Sequence, residues 1–448
     1  MQVEINKELL EGLRIAVENE DIKFIQKSLG ELHAADITSL LYEVNTEEAK
    51  YIIDVFEVKL RAEIISLIDE EVQPKFLKIF SSSEIANLLH YIVSDDAADI
   101  LLDQDTAKRE EIIAQIKDEE KIKNILDLLR YDEDVAGGLM AKELITCNIN
   151  WTVTQCIEEI RRQAEKVEKI YTLYVVNNAN RLLGTISTKK LLLAKEGTQI
   201  SAFFEQNVIS VDANMDEEEV ASIMSKYDLE AIPVVNMKKR LLGRITIDDI
   251  VDVIQEQADH DKQLMSGITE SVEFNDSVLA LTRARLPWLI IGMAGGLLGA
   301  KLMGFFESDL RAIPAMAFFI PLITATGGNV GIQSSSIIVQ KLAQHDRFDK
   351  NIWQQFFKSL LVAMINGVAI SSIVLFFGYF IQGEIHLPLV VSFALFTVVL
   401  LSSFMGTITP LVLDKFEINP ALASGPFITT TNDILGIVVY FSVAHVFI

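Results

Sequence analysis

Five long apolar segments close this sequence, and they restrict its fold more than any other feature. They cover about 286–306, 312–340, 354–382, 387–412 and 421–447. Each meets the roughly 20 residues that a bilayer-spanning helix needs. Peptide groups find no water inside a bilayer, so such segments are expected as helices. Pro287, Pro314, Pro321, Pro388, Pro410, Pro420 and Pro426 lie at or within them, which predicts local breaks.

Charge divides the chain at the same place. Half of the 448 residues are hydrophobic, yet the formal net charge is −24. Seven Lys/Arg and eight Asp/Glu follow Leu286, which leaves about −23 on residues 1–285. The first part reads as a soluble acidic assembly and the second as a membrane domain. So acidic a surface repels nucleic acid and anionic lipid and attracts cations. Arg283 and Arg285 precede the first span. Lys341, Arg347, Lys350 and Lys358 surround the loop between spans 2 and 3, and Lys415 lies between spans 4 and 5. The opposite side holds only Lys301 and Arg311. The positive-inside rule then expects a multi-pass protein of the cytoplasmic membrane, with its N-terminal part in the cytoplasm and its C-terminus outside. MQVEINKELLEGL has no basic start and no apolar run, so no cleaved signal is expected. Cys147 and Cys156 form no metal-type pair and suit a reducing compartment as thiols.

Two internal repeats organise the acidic part. DITSLLYEVNTEEAKYIIDVFEVKLRAEII (36–65) realigns with EIANLLHYIVSDDAADILLDQDTAKREEII (84–113) at an offset of 48. The apolar positions 37, 40, 41 and 44 have helical spacing. Thr46-Glu47-Glu48 and Ser94-Asp95-Asp96 read as N-caps followed by acids. Stacked helical hairpins, a small superhelix, follow. The second repeat pairs YVVNNANRLLGTISTKKLL (174–192) with PVVNMKKRLLGRITIDDIV (233–251) at an offset of 59. Each copy runs strand, turn, strand, helix, and together they resemble a tandem pair of CBS domains. That resemblance implies ligand sensing by modules packed face to face, with ATP as one ligand class. Thr246 and Asp249 match the family's Thr/Ser-x-x-Asp, whereas the first copy reads Ser187, Thr188, Lys189, Lys190 and lacks the Asp.

The expected organisation is therefore multidomain. An all-α helical-repeat superhelix spans 1–130, and an α/β tandem CBS pair follows at 131–200 and 201–256. A connecting, plug-like helix covers 257–285, and a five-helix α transmembrane domain covers 286–448. The connector has mixed charge and is placed to pass cytoplasmic rearrangements to the membrane helices.

Within the last span, Asp433 is the sole charged residue. A charge at mid-membrane costs roughly 2.5–3.5 kcal/mol on insertion scales, so some partner must offset it. Span 2 contains PLITATGGNVGIQSSSIIVQ (321–340), uncharged but dense in polar groups. Asn329 and Gln333 are four apart and share a helix face. Gly327 and Gly331 are also four apart and allow close helix approach. Gly292, Gly295, Gly296 and Gly299 in span 1 read as a packing seam. The polar cluster beside proline breaks, with a buried Asp elsewhere, favours a water-lined pathway.

The GGNVGIQ of span 2, NPALASGPF leading into the Asp433 region, and the order helical repeat, CBS pair, spans together resemble the MgtE family of magnesium channels over essentially the whole chain. The resemblance implies a homodimeric, Mg²⁺-selective channel whose cytoplasmic domains sense Mg²⁺. By matching position, Asp433 is the pore carboxylate, and Gly328 and Asn329 fall in the pore-lining motif. Mg²⁺ dehydrates reluctantly, so carboxylates and amides facing its water shell suit a pathway. The same resemblance carries regulatory Mg²⁺ to Glu63, Asp95 and Asp99 in the helical domain, to Asp216, Glu218, Asp228, Asp249 and Asp252 in the CBS pair, and to Asp261 in the connector. Gln257 and His260 depart from the acids that other members carry. The plainer reading of each acid is a solvated surface charge.

An enzyme is not expected. The six His form no H-E-x-x-H, and no phosphate loop or nucleophile elbow occurs. Two alternatives remain: a membrane-anchored Mg²⁺ or nucleotide sensor, and a transporter of Mn²⁺, Co²⁺ or Ni²⁺.

Overall fold

The 48-residue repeat folds as two matching sets of three helices. Ala34–Leu41, Thr46–Asp54 and Val58–Ser66 recur as Ser82–Leu89, Ser94–Leu102 and Thr106–Gln115. The apolar row that gave the helical periodicity turns inward: Ile37, Leu40, Ile52 and Ile64 are buried, as are Ile85, Leu88, Ile100 and Ile112. This computed structural model describes residues 7–69, 72–163, 167, 169–270, 272, 276–343, 352–416, 418–423 and 425–447. It divides into two units, Met1–Ile254 and Gln255–Ile448. Arg347 and Lys350, part of the charge bias noted above, lie outside the described residues.

The helix caps differ from expectation by one residue. Asn45, not Thr46, is the cap: its Oδ1 accepts from Glu48 N at 2.9 Å, and Glu48 Oε2 accepts from Asn45 N at 3.1 Å. This reciprocal box satisfies two orphan donors. In the second copy the cap is Val93, which has no polar side chain. Ser94 N and Ser94 Oγ donate instead to Glu143 Oε2, at 3.2 and 2.6 Å. A carboxylate 49 residues further on, within the stretch that matches the first CBS module, thus fills the anion-favouring end of that helix.

Strands β1 (Thr146–Asn148), β2 (Leu173–Val176) and β3 (Leu182–Ile186) form one sheet, with β1 parallel and β3 antiparallel to β2. Strands β4 (Val211–Asp212), β5 (Ala231–Val235) and β6 (Leu241–Thr246) repeat that topology. The two β-turns match as well. Asn177 Oδ1 accepts from Ala179 N and Arg181 N, and Asn236 Oδ1 accepts from Lys238 N and Arg240 N. The turns pair with each other through Leu182 N to Lys239 O at 2.9 Å and Leu241 N to Asn180 O at 3.0 Å. Tyr174, Val176, Leu182, Val235 and Leu241 close the face between the modules. One core runs on from the helical repeats into the second module through Val211, Val220, Ile232 and Ile245.

The cysteines are not free thiols. Cys147 on β1 and Cys156 on the helix Val153–Gln163 both point into the first module's core and are joined as a disulfide, with Cα atoms 5.8 Å apart. Sequence spacing did not reveal that a strand and the next helix would set them face to face.

The connecting helix expected over 257–285 is instead the later part of a longer one, Ile247–Met265. It ends at Gly267, whose φ of +81° suits glycine. There Ile268 N bonds Gln263 O and Gly267 N bonds Leu264 O, closing the last turn. A new helix begins only at Val278, capped by Ser277 Oγ.

All five expected spans are helical: Val278–Phe305, Pro314–Leu342, Phe356–Ile381, His386–Lys415 and Pro420–Phe447. Pro314, Pro420 and Pro426 open helical segments, where a missing N–H is harmless, while Pro287 and Pro410 lie inside helices. Span 4 sits innermost, burying Val390, Val391, Ala394, Leu395, Val398 and Val399. Hydroxyls tie spans 2, 3 and 4 together: Ser334 Oγ to Ser403 Oγ at 3.1 Å, and Ser359 Oγ to Thr407 Oγ1 at 2.8 Å. Only half of the span 1 glycine seam forms. Gly295 packs on Thr430 and Gly299 on Ile437, whereas Gly292 and Gly296 face open space.

Candidate functional site

The last membrane helix, Pro426–Phe447, presents two neighbouring rows to span 2. Thr429 and Asp433 make one row, and Ile428, Asn432 and Gly436 make the other, as a spacing of four dictates. The glycines of span 2 let both rows approach. A Cβ on Gly328 would stand 3.3 Å from Thr429 Cγ2 and 3.8 Å from Asp433 Oδ1. A Cβ on Gly331 would overlap the Asn432 amide, and one on Gly327 would press on Val398 and Ser402 of span 4. The sequence-expected pair of Gly328 and Asp433 is therefore brought together. Asn329 and Gln333 are four apart on one helix, and both are exposed on this chain.

The N-terminal end of this helix meets the connector. Gly425, at φ +56°, is so close to Met265 O that a Cβ would overlap it. A Cβ on Gly267 would stand 3.1 Å from Pro426 Cδ. Asn419 Nδ2 donates to Asp261 Oδ1 at 3.1 Å. Leu264, Val339 and Ala421 pack as one small cluster, and Ser335 Oγ donates to Ala423 O at 3.3 Å. Of the expected regulatory acids, Asp261 is thus held at the entrance to span 5.

The remaining acids fall into two groups. Asp95 from the helical domain is buried and lies close enough to Asp249, of the second CBS module, to feel its charge. Burial holds Asp95 well above the ordinary carboxylate range, reinforced by Asp96, Asp249 and Glu143. Burial also pushes Asp96 up to about 6, with Asp248 and Glu143 adding to it and Ser66 and Lys121 opposing. Asp249 is pushed up to about 6 by burial, then by Asp248 and Asp96, against its bonds from Thr246. Asp252 is raised by burial and by Asp248. Lys121 is the buried cation among them: its Nζ donates to Ile92 O and to Glu143 Oε1 at 3.3 Å. Like charges gathered in a poorly solvated place raise one another's pKa, so this junction favours cations or protons. Asp96, Asp248, Glu143 and Lys121 belong to it and were not legible as partners in the sequence.

Glu63, Asp99, Asp216, Glu218 and Asp228 form the second group and are exposed. Asp216 caps the helix Glu217–Tyr227 through Glu218 N at 3.0 Å, and Asp228 ends the same helix at φ +53°. Among the described residues no three His, Cys, Asp or Glu side chains converge as a ready metal cage. The acids share a field rather than one coordination sphere.

The Thr246–Asp249 pair sits at the start of its helix as the Thr/Ser-x-x-Asp pattern expects. Thr246 Oγ1 and Thr246 N both donate to Asp249 Oδ2, at 2.8 and 3.0 Å. The two side chains satisfy each other. In the first module Ser187 caps its own helix through Lys190 N, and Lys190 pairs with Glu205.

Comparison with known proteins gives a consistent picture. Residues 320–443 match the family model MgtE, described as a divalent cation transporter. Residues 32–134 match the MgtE intracellular N domain, and 133–197 and 200–256 match CBS domains. The chain is 31% identical to a magnesium transporter MgtE of Thermus thermophilus, over 98% of this chain and 99% of that one. It is 29% identical to the Bacillus subtilis protein of the same description, over 98% of each. Among solved structures it resembles the soluble part of a magnesium transporter, with 28% identity, a TM-score of 0.51, and 56% of this chain and 99% of that one covered. It also resembles the cytosolic domain of a Mg²⁺ channel MgtE in complex with ATP, with 31% identity, a TM-score of 0.52, and 55% and 99% covered.

Proposed function

We propose, from the premise that this chain belongs to the MgtE family of divalent cation transporters, that it is a Mg²⁺-selective channel for Mg²⁺ uptake across the cytoplasmic membrane. Its relatives are described as magnesium transporters. The observation that carries the reading is Asp433, half-buried on the last membrane helix beside the bare backbone of Gly328. A carboxylate whose open side is not filled by protein can face an ion that keeps its water shell, which suits Mg²⁺. Two such carboxylates across the two-fold axis of a homodimer would repel in low dielectric, and a bound dication would offset that repulsion. On this reading Asn329 and Gln333, exposed on one chain, accept hydrogen bonds from the ion's water across the same axis.

Gating follows from the acids. At high cytoplasmic Mg²⁺ the ion neutralises the junction of Asp95, Asp96, Asp248 and Asp249, with Asp252 beside it. Exposed Glu63, Asp99, Asp216, Glu218 and Asp228 add ions between subunits, and the end of the connector at Asp261 then holds span 5 shut. When Mg²⁺ falls, repulsion separates the domains and the pore opens. The proposal places residues 1–285 in the cytoplasm and the C-terminus outside. ATP is a further ligand on this reading, with Thr246 and Asp249 as its contacts, since a similar cytosolic domain is described in complex with ATP.

The test is Mg²⁺ entry into proteoliposomes with a trapped fluorescent indicator, for the wild type and Asp433→Ala. Flux lost in folded Asp433→Ala supports a conducting carboxylate; equal flux in both removes it from the pathway. No flux in either returns the chain to a membrane-anchored sensor. The second reading is transport of Mn²⁺, Co²⁺ or Ni²⁺, favoured by the family description of divalent cations in general. Competition by those ions against Mg²⁺ entry separates the two.

A further inference from the structure

Asn432 is fully buried on the row that packs inside the chain, between Ile428 and Gly436, both also buried. Neither its Nδ2 nor its Oδ1 has a hydrogen-bond partner among the described residues. An amide carries two donors and two acceptor sites, and burying one unpaired is costly because the hydrogen bonds lost to water are not replaced. The position is also built around it: Gly331 has no side chain where the amide lies, and Ile428 closes one side. One residue further along the helix stands Asp433. An unpaired amide in an otherwise apolar row is explained by a molecule that the protein atoms do not supply. A neutral group that both donates and accepts selects water, which bridges about three polar groups when buried.

We propose that the Asn432 amide binds ordered water inside the membrane domain, and that this water positions Asp433 by fixing the last helix against span 2. Asn432 acts here as a positioning residue rather than a direct ion ligand, and the role rests on Asp433 lying in the conduction path. The water would hold the rotation of the helix that carries the carboxylate, so its loss changes how tightly the hydrated ion is held before it changes folding.

The experiment compares Asn432→Leu, of similar volume, with Asn432→Ser, which keeps a hydroxyl for water. Mg²⁺ entry into proteoliposomes is measured over a range of external Mg²⁺, alongside the melting temperature. The expected result is a rise of about tenfold in half-saturating Mg²⁺ for Asn432→Leu, the effect of losing one or two net hydrogen bonds, with recovery toward the wild type in Asn432→Ser. An apolar replacement that conducts like the wild type and melts at the same or a higher temperature overturns the proposal, because an amide without water gains from its removal. Hydroxyl-radical footprinting of the wild-type protein in nanodiscs decides the case if Asn432→Leu does not fold. Residue-resolved labelling of buried Ile428 or Asn432, and not merely of half-exposed Thr429 and Asp433, places water there, and protection of Ile428 and Asn432 excludes it. Footprinting also stands if the wild type proves not to conduct, so failure of the transport reading remains distinguishable from failure of the water site.

Discussion

Gly328 of span 2 lies against Asp433 of the last helix, with room for a single Cβ at 3.8 Å from the carboxylate and 3.3 Å from Thr429 Cγ2. A methyl group there crowds the threonine slightly, and a larger side chain fills the space beside the carboxylate. Gly328→Ala is expected to reduce Mg²⁺ entry severalfold, and Gly328→Leu to abolish it through overpacking of about 1–3 kcal/mol or more. Liposome flux measures both. Wild-type flux in Gly328→Leu would mean that ions do not pass this pair.

The junction of Asp95, Asp96, Asp248 and Asp249 makes stability depend on pH in a definite direction. Folded-state pKa values near 6 for Asp96 and Asp249 exceed the ordinary carboxylate value. Their contribution is therefore fully present below about pH 4 and is lost as pH rises through about 6. At pH 7.5 the ionised groups repel, and a dication relieves them. Saturating Mg²⁺ is expected to raise the melting temperature of the first unit, Met1–Ile254, by roughly 5–10 °C at pH 7.5, on the basis of about 2.7 kcal/mol at a hundredfold excess over Kd. At pH 5 the gain is expected to be much smaller, because protons already occupy the site. Equal gains at the two pH values would show that Mg²⁺ acts elsewhere.

Lys121 holds the same junction together from the opposite charge. Its ammonium is buried with Glu143, whose carboxylate also caps the helix at Ser94. Lys121→Met is expected to cost about 3–5 kcal/mol, the usual penalty for leaving a buried partner alone. Adding Glu143→Gln should recover part of that loss. Hydrogen exchange in the 94–102 helix reports both variants, and an additive double mutant would refute the coupling.

Gly425 offers a mechanical test. Its positive φ and its contact with Met265 O leave no place for a Cβ. Gly425→Ala is expected to push the connector away from span 5, so that Mg²⁺ entry continues when internal Mg²⁺ is high. Flux measured into liposomes preloaded with Mg²⁺ separates this from simple loss of activity. Unchanged inhibition would show that the contact does not carry the gate.

The parts of the fold that follow from local periodicity were legible. Apolar spacing at 37, 40 and 41 reappears as the buried row of a helix, and the offset of 48 maps helix onto helix. The offset of 59 maps strand onto strand, because alternating side chains and an Asn-centred turn are written in consecutive residues. The connector was misjudged because the helical pattern of 247–256 runs on without interruption, and its stop depends on one glycine at positive φ. The cap at Ser94 was misplaced because Glu143, which takes over there, is 49 residues away, whereas the Asn45–Glu48 box is local and could have been read from the sequence.

Composition and spacing alone marked five segments long and apolar enough to cross a membrane, with an acidic assembly of repeats before them. They also singled out Asp433, since one carboxylate in an apolar stretch is visible without coordinates. Which groups stand beside it was not visible. Asn432 reads as an ordinary neighbour until the helix turns it 100° away from Asp433 and buries its amide against Gly331. Asp95 and Asp249 are 154 positions apart in the chain, and only packing brings their charges within reach of each other. A sequence records each residue's chemistry and its near periodicity, whereas energies between distant residues depend on separation and burial, which the fold alone sets.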